Sequence, residues 1–276
     1  MISRENLLKI TDSKGNVYYG GNQDWYSSNT RARGGCSSVA GANALRALAR
    51  SDKLCHDTIR SSKKMPVEIK NALLKKECRR DDFLMLMTGI YNTMRSFEVF
   101  PLNIIYDRNK RSSKCFKYLK ANNGRSSIGF ISGVIRFAKK IGLNLACKAL
   151  PTAFAGKKSV IDFIREGLTV SGSVAILTSY NKHAITTLNP TQSSTMKCHF
   201  ATITGMDDSK IFLSTWGKSG YAEIDEWVTS LNSIKAWEST LFYFVPTTKR
   251  LRNLSLLTSF FPFVKGILQA LKRKAQ

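Results

Sequence analysis

Three histidines and six cysteines carry most of the nucleophilic and general-base chemistry open to this 276-residue chain. Cys36 stands out by its setting. It follows Gly34 and Gly35 and opens the helix-forming run "CSSVAGANALRALAR". At a helix start, free backbone N–H groups and the helix dipole favour negative charge, so a thiol there is expected to ionise more readily. The glycines leave room for a substrate backbone to approach. A thiolate nucleophile also needs a base. His199 opens the strand-like segment "HFATITGM", whereas His183 lies in "SYNKHAITT", which reads as loop, and His56 beside Cys55 has no evident partner. A nucleophile on a helix and a base from a strand suit a cleft between two lobes. The oxyanion of a tetrahedral intermediate needs donors, which the Cys36 N–H and the Gln23 carboxamide can supply. The segment "LSTWGKSGYAEI" brings Ser214 and Thr215, either of whose hydroxyls can accept the imidazole N–H, and Trp216 to shield the pair from water.

These residues must be held by elements the sequence also suggests. "NLLKITDSKGNVYYGG" reads as two short strands around a turn, and "GNQDWYSSNTRARGG" as loop. Helical patterns follow at Cys36–Arg50, in "PVEIKNALLKKEC" with Pro66 in the first turn, and in "DDFLMLMTGIYNTMRSF" with Asp81 or Asp82 as cap. Two more lie in "SSIGFISGVIRFAKKIGL", ending near Gly142, and in "GKKSVIDFIREGL". From about Ser173 the pattern changes to strands: "SVAILTSY", "HFATITGM", "KIFLSTW", "GYAEI" and "STLFYFVP". Helices first and strands second predict an α+β fold with a segregated antiparallel sheet. The tail from Thr247 to Gln276 has apolar residues at helical spacing, basic residues, no acidic ones, and Pro262 as a break. It fits a helix docked on the domain, or one that engages an anionic membrane surface or an acidic protein.

Composition narrows the classes. A hydrophobic content of 43% supports a real core and excludes a disordered chain. No apolar run is long enough to span a bilayer, and the N-terminus carries no secretory pattern, so a cytoplasmic protein with reduced thiols is expected. The cysteine spacings suggest no zinc site, and neither a metal nor a cofactor is called for. With 43 Lys and Arg against 19 Asp and Glu, the net charge of +24 attracts polyanions. Nucleic acid is disfavoured as a partner, since no basic stripe interleaved with aromatics is present.

In order, Gln23, "GGC" ending at Cys36, "HFATITG" from His199 and "STWGKSGYAEI" from Ser214 resemble the motifs of the papain-like cysteine peptidases. The closest likeness is to divergent bacterial members, with "GNQDW" ahead of "GC". The resemblance implies a two-lobe papain-like α+β fold over residues 1–246: a helical lobe at about 20–150 packed on a sheet lobe at about 150–246, then the tail. It implies Cys36 as nucleophile, His199 as general acid and base, Gln23 as oxyanion donor, Ser214 at the orienting position, and Gly34, Gly35 and Trp216 about the substrate cleft. The chain departs from the family at Ser37, where a Trp is usual, and at Ser214, where an Asn is usual. The activity implied is hydrolysis of amide or peptide bonds in a peptide or protein substrate, with acyl transfer open to the same residues. The other reading is a weakly catalytic binding protein that uses its basic surface and tail.

Overall fold

A computed structural model of the chain describes residues 2–94, 125–152, 155–178, 182–188, 190–232 and 239–247. Cys115 and the basic tail beyond residue 247 lie outside them. The strands are β1 (Ile2–Ser3), β2 (Lys9–Thr11), β3 (Val17–Tyr19), β4 (Cys78–Arg79), β5 (Leu145–Pro151), β6 (Val174–Leu177), β7 (His183–Thr187), β8 (Gln192–Met196), β9 (Phe200–Met206), β10 (Lys210–Thr215), β11 (Lys218–Glu223) and β12 (Thr240–Pro246). The helices are α1 (Asn29–Gly34), α2 (Cys36–Ser51), α3 (Lys53–Ser61), α4 (Val67–Leu74), α5 (Arg80–Tyr91), α6 (Ser127–Lys140), α7 (Lys157–Ser171) and α8 (Ile224–Asn232).

The fold is α+β. Among the described residues nine strands form one sheet in the order β5-β12-β6-β9-β10-β11-β7-β8, with β1 added against β9. Every pairing in it is antiparallel. The expected N-terminal hairpin is present as β2 and β3, whose turn is closed by the Asp12 carboxylate accepting the N–H groups of Lys14 and Asn16, both at 2.9 Å. It belongs to a separate three-stranded sheet in which β4 lies parallel to β2.

Three local expectations are corrected. The "GNQDW" loop contains a 3-10 turn at Gln23–Trp25, capped by the Asn22 side chain accepting the Asp24 N–H at 3.1 Å, and then the six-residue α1. Elements that short show no periodicity in a sequence. The His183 segment is a strand, β7, paired with β8. Helix α5 starts at Arg80 with Arg79 at its cap, and Asp81 and Asp82 sit in its first turn, where carboxylates favour the dipole.

Segregation of helices from strands holds only in part. Strands β6 and β9 are buried along their whole length, so both sheet faces are covered. One apolar cluster packs α2, α4, α5 and α6 onto the first face, where Phe130 of α6 stacks on Phe200 of β9 with centroids 4.8 Å apart. A second cluster packs α7 and α8 onto the other face through Ile164, Leu168, Trp227 and Tyr243. Helix α2 is the hub, buried from Cys36 to Ala49, and it packs directly on β9. Two of its arginines serve the fold. Arg46 donates to carbonyls at the end of α4, and Arg50 to those of Asn6 and Leu7.

Candidate active site

Cys36 and His199 line one narrow cleft between α2 and the ends of β9 and β10. Its free space is about 10 Å³, room for a single water-sized group. Gln23, Ser214, Thr215 and Trp216 line it as well. The sequence therefore brings Gln23, Cys36, His199, Ser214 and Trp216 to one place, from segments as far apart as residues 23 and 216.

Cys36 is the first residue of α2 and is buried. Backbone N–H groups of Phe200, Ser37 and Cys36 itself favour its thiolate. Burial outweighs them and pushes the thiol above its ordinary value. This reverses the expectation from the helix start, because a sulfur shut away from water loses more solvation than a few N–H dipoles return. Gly34 and Gly35 are buried behind Cys36 and do not line the cleft. A Cβ on Gly35 would lie 2.6 Å from the Arg31 carbonyl oxygen and 2.8 Å from the Tyr26 ring. The space beside this glycine is thus filled by the protein's own chain.

His199 sits one residue before β9. Its backbone is held by Thr178, whose N–H donates to the His199 carbonyl at 2.9 Å and whose Oγ1 accepts the His199 N–H at 3.1 Å. The preceding residue, Cys198, has φ +47°, a left-handed conformation that is costly for a residue with a Cβ and that turns the chain into the strand. The imidazole Nε2 lies 2.9 Å from the Thr215 hydroxyl. The Ser214 hydroxyl, by contrast, donates to the Tyr19 carbonyl and accepts from Asn43 Nδ2 at 3.3 Å. Successive residues of a strand point to opposite faces, so only one of the two hydroxyls in "ST" can meet the ring.

Trp216 covers the imidazole, with ring centroids 4.8 Å apart and planes 30° from parallel. It occupies a two-residue turn between Thr215 and Lys218, which pair across β10 and β11. Both turn residues have positive φ, Trp216 at +50° and Gly217 at +73°. Hairpin turns of this kind demand that at both positions. Glycine meets it without strain. Trp216 does not, and its stacking on His199 is what its position there provides.

Gln23 opens the 3-10 turn and presents its carboxamide to the cleft, where Oε1 is buried without a protein partner. The turn is tied to the β10–β11 hairpin by Gly217 N–H donating to the Gly21 carbonyl at 3.0 Å. Sequence reasoning missed Asn43, which also lines the cleft. A lone carboxamide inside the Ala-rich run "VAGANALRALA" was the signal.

Burial pulls the His199 imidazole down to about 4, and that of His183, whose Nδ1 lies 2.7 Å from the Ser230 hydroxyl, to about 4 as well. Both rings are therefore neutral at pH near 7. In the unfolded chain they take up protons near 6.5, so between 6.5 and 4 the unfolded state binds more protons and stability falls as pH falls. For the fully buried His183 the loss approaches about 3 kcal/mol, at 1.36 kcal/mol per unit. The urea midpoint is expected to drop across this window, and His183→Phe to remove a large part of the drop. A midpoint that does not move with pH contradicts it.

No group of His, Cys, Asp or Glu among the described residues is arranged to hold a metal ion, and no helix among them is long and apolar enough to cross a membrane. No family model matches the chain, and no curated protein matches it. Among solved structures it is similar to the crystal structure of the Pseudomonas avirulence protein AvrPphB. The identity is 5% and the TM-score 0.31, over 80% of this chain and 95% of that one.

Proposed function

We propose that this chain is a thiol-dependent hydrolase of amide or peptide bonds, with a papain-like division of labour between a helix-borne cysteine and a strand-borne histidine. The observation that carries the reading is one cleft lined by Cys36 at a helix N-terminus, the His199 imidazole bonded to Thr215, and the Gln23 carboxamide. In the resting site the thiol and the imidazole are both neutral, since burial raises one and lowers the other. The tautomer this mechanism uses has His199 Nε2–H donating to the Thr215 hydroxyl 2.9 Å away, which leaves Nδ1 as the base. Nδ1 takes the thiol proton as sulfur attacks the carbonyl carbon. The S–C bond forms and the carbonyl electron pair moves to oxygen, which the Cys36 N–H and the Gln23 amide stabilise. The intermediate collapses, the C–N bond breaks, and His199 gives its proton to the leaving amine. Water then attacks the thioester and yields its proton to Nδ1, and the sulfur leaves and recovers that proton. An amine in place of water would make the same thioester a group-transfer intermediate.

The test uses p-nitrophenyl acetate as an acyl donor and casein as a peptide-bond substrate. One acetyl group per chain on Cys36, with casein cleavage that prior iodoacetamide abolishes, is the expected result. Acetylation scattered over lysines and other thiols, or cleavage that survives a blocked Cys36, overturns the reading.

A further inference from the structure

Asn43 lies on the same helix as Cys36, two turns further along, and is fully buried. Its Oδ1 accepts the Gly21 N–H at 3.1 Å. Its Nδ2 donates to Thr202 Oγ1 at 3.1 Å and to Ser214 Oγ at 3.3 Å. Ser214 passes the connection on by donating to the Tyr19 carbonyl. One carboxamide thus joins α2, the loop that carries Gln23 two residues beyond Gly21, the strand that His199 precedes, and the strand that ends in Thr215. Gly20, at φ +93°, is shaped to this arrangement, for a Cβ there would lie 2.2 Å from Ser214 Oγ and 2.8 Å from Asn43 Nδ2.

A buried carboxamide is costly unless its bonds are made, and an apolar residue of similar volume would pack α2 as well. What Leu at this position could not do is tie the helix to the loop that carries Gln23. We propose that Asn43 is a positioning residue for the acyl chemistry: through Gly21 it keeps the oxyanion loop that carries Gln23 in register with the Cys36 sulfur. The proposal rests on the thiol-hydrolase reading above. Ser214, at the position where the resemblance puts an orienting Asn, acts here as an acceptor for Asn43, while Thr215 meets the imidazole.

Two probes of Cys36 separate positioning from folding. Iodoacetamide alkylates the sulfur directly and forms no oxyanion. p-Nitrophenyl acetate reacts through an oxyanion, expelling nitrophenolate as the S–C bond forms. Removing an oxyanion donor costs roughly 100-fold or more in rate, so loosening one is expected to slow acetylation in Asn43→Leu by roughly 10- to 100-fold. Alkylation should stay within about 3-fold of wild type, since the helix start and the imidazole remain. Thr202→Val, which removes one acceptor and keeps the shape, should fall between the two. If Asn43→Leu does not fold, Asn43→Ala, which also removes the acceptor for the Gly21 N–H, carries the same comparison. If acetylation and alkylation move together, or neither moves, the positioning role is wrong while the hydrolase reading stands. If wild-type Cys36 is not acetylated at all, the hydrolase reading fails and takes this proposal with it.

Discussion

His199→Ala will slow acetylation of Cys36 by roughly 1000-fold near neutral pH, within the range that general-base catalysis supplies. The reason is the resting charge state. Burial holds the Cys36 thiol above its ordinary value and the imidazole down at about 4. At neutral pH the sulfur therefore carries its proton, and His199 is free to take it. Wild-type acetylation should be nearly flat with pH above about 5, because the base is already neutral there. Without His199 only the rare thiolate reacts, so the rate should climb about tenfold per pH unit until the raised thiol ionises. Thr215→Val should lower the wild-type rate by roughly 10-fold or more and disturb its flat region, since the ring loses the partner that sets its tautomer. Ser214→Ala, which loosens the Tyr19 carbonyl instead, should leave the pH profile in place. Stopped-flow release of nitrophenolate from pH near 5 to near 9 reads all of these. A profile for His199→Ala that runs parallel to wild type would mean that the imidazole takes no proton.

The candidate site residues were legible because each has a distinctive type in a distinctive local pattern. A Cys opening a helix after two glycines, a His before a strand and a Trp-Gly turn are local signals. The cleft lining joins them. Three things were not legible. The ionisation of Cys36 depends on how deeply the sulfur is buried, and burial is a property of the assembled fold. The choice between Ser214 and Thr215 depends on strand register, since one residue of slip exchanges the faces. The bonds of Asn43 depend on Gly21, Thr202 and Ser214 arriving from three other segments. The same limit explains the sheet: helix α8 follows β11 directly, and nothing in "IDEWVTSLN" says that it will cover a second face.

Arg46→Met is expected to destabilise the protein by about 2–4 kcal/mol. In sequence Arg46 reads as an ordinary charge on an Ala-rich helix. In the fold it is fully buried, and its guanidinium donates to the carbonyls of Ala72, of Lys75 at 2.8 Å and of Lys76 at 3.2 Å. Helix α4 ends at Leu74, so several of its last carbonyls have no partner within the helix. A cation there satisfies them and complements the negative end of the dipole. Burial draws Arg46 down to about 10, which still leaves it charged at neutral pH. Methionine keeps the stem and its packing but removes every donor, taking the guanidinium from the buried Ala72 carbonyl and the part-buried carbonyls of Lys75 and Lys76. Arg46→Lys should recover only part of the loss, because a single ammonium cannot reach carbonyls spread along a turn as the planar fork does. Urea unfolding measures both, with a shifted midpoint and an unchanged slope expected. A change within about 0.5 kcal/mol would show that water replaces the guanidinium at no cost. Cys36 lies at the opposite end of α2, and its alkylation rate in folded Arg46→Met should match wild type. The two arms of α2 would then be separable, one anchoring the helix to α4 and the other presenting the sulfur to the cleft.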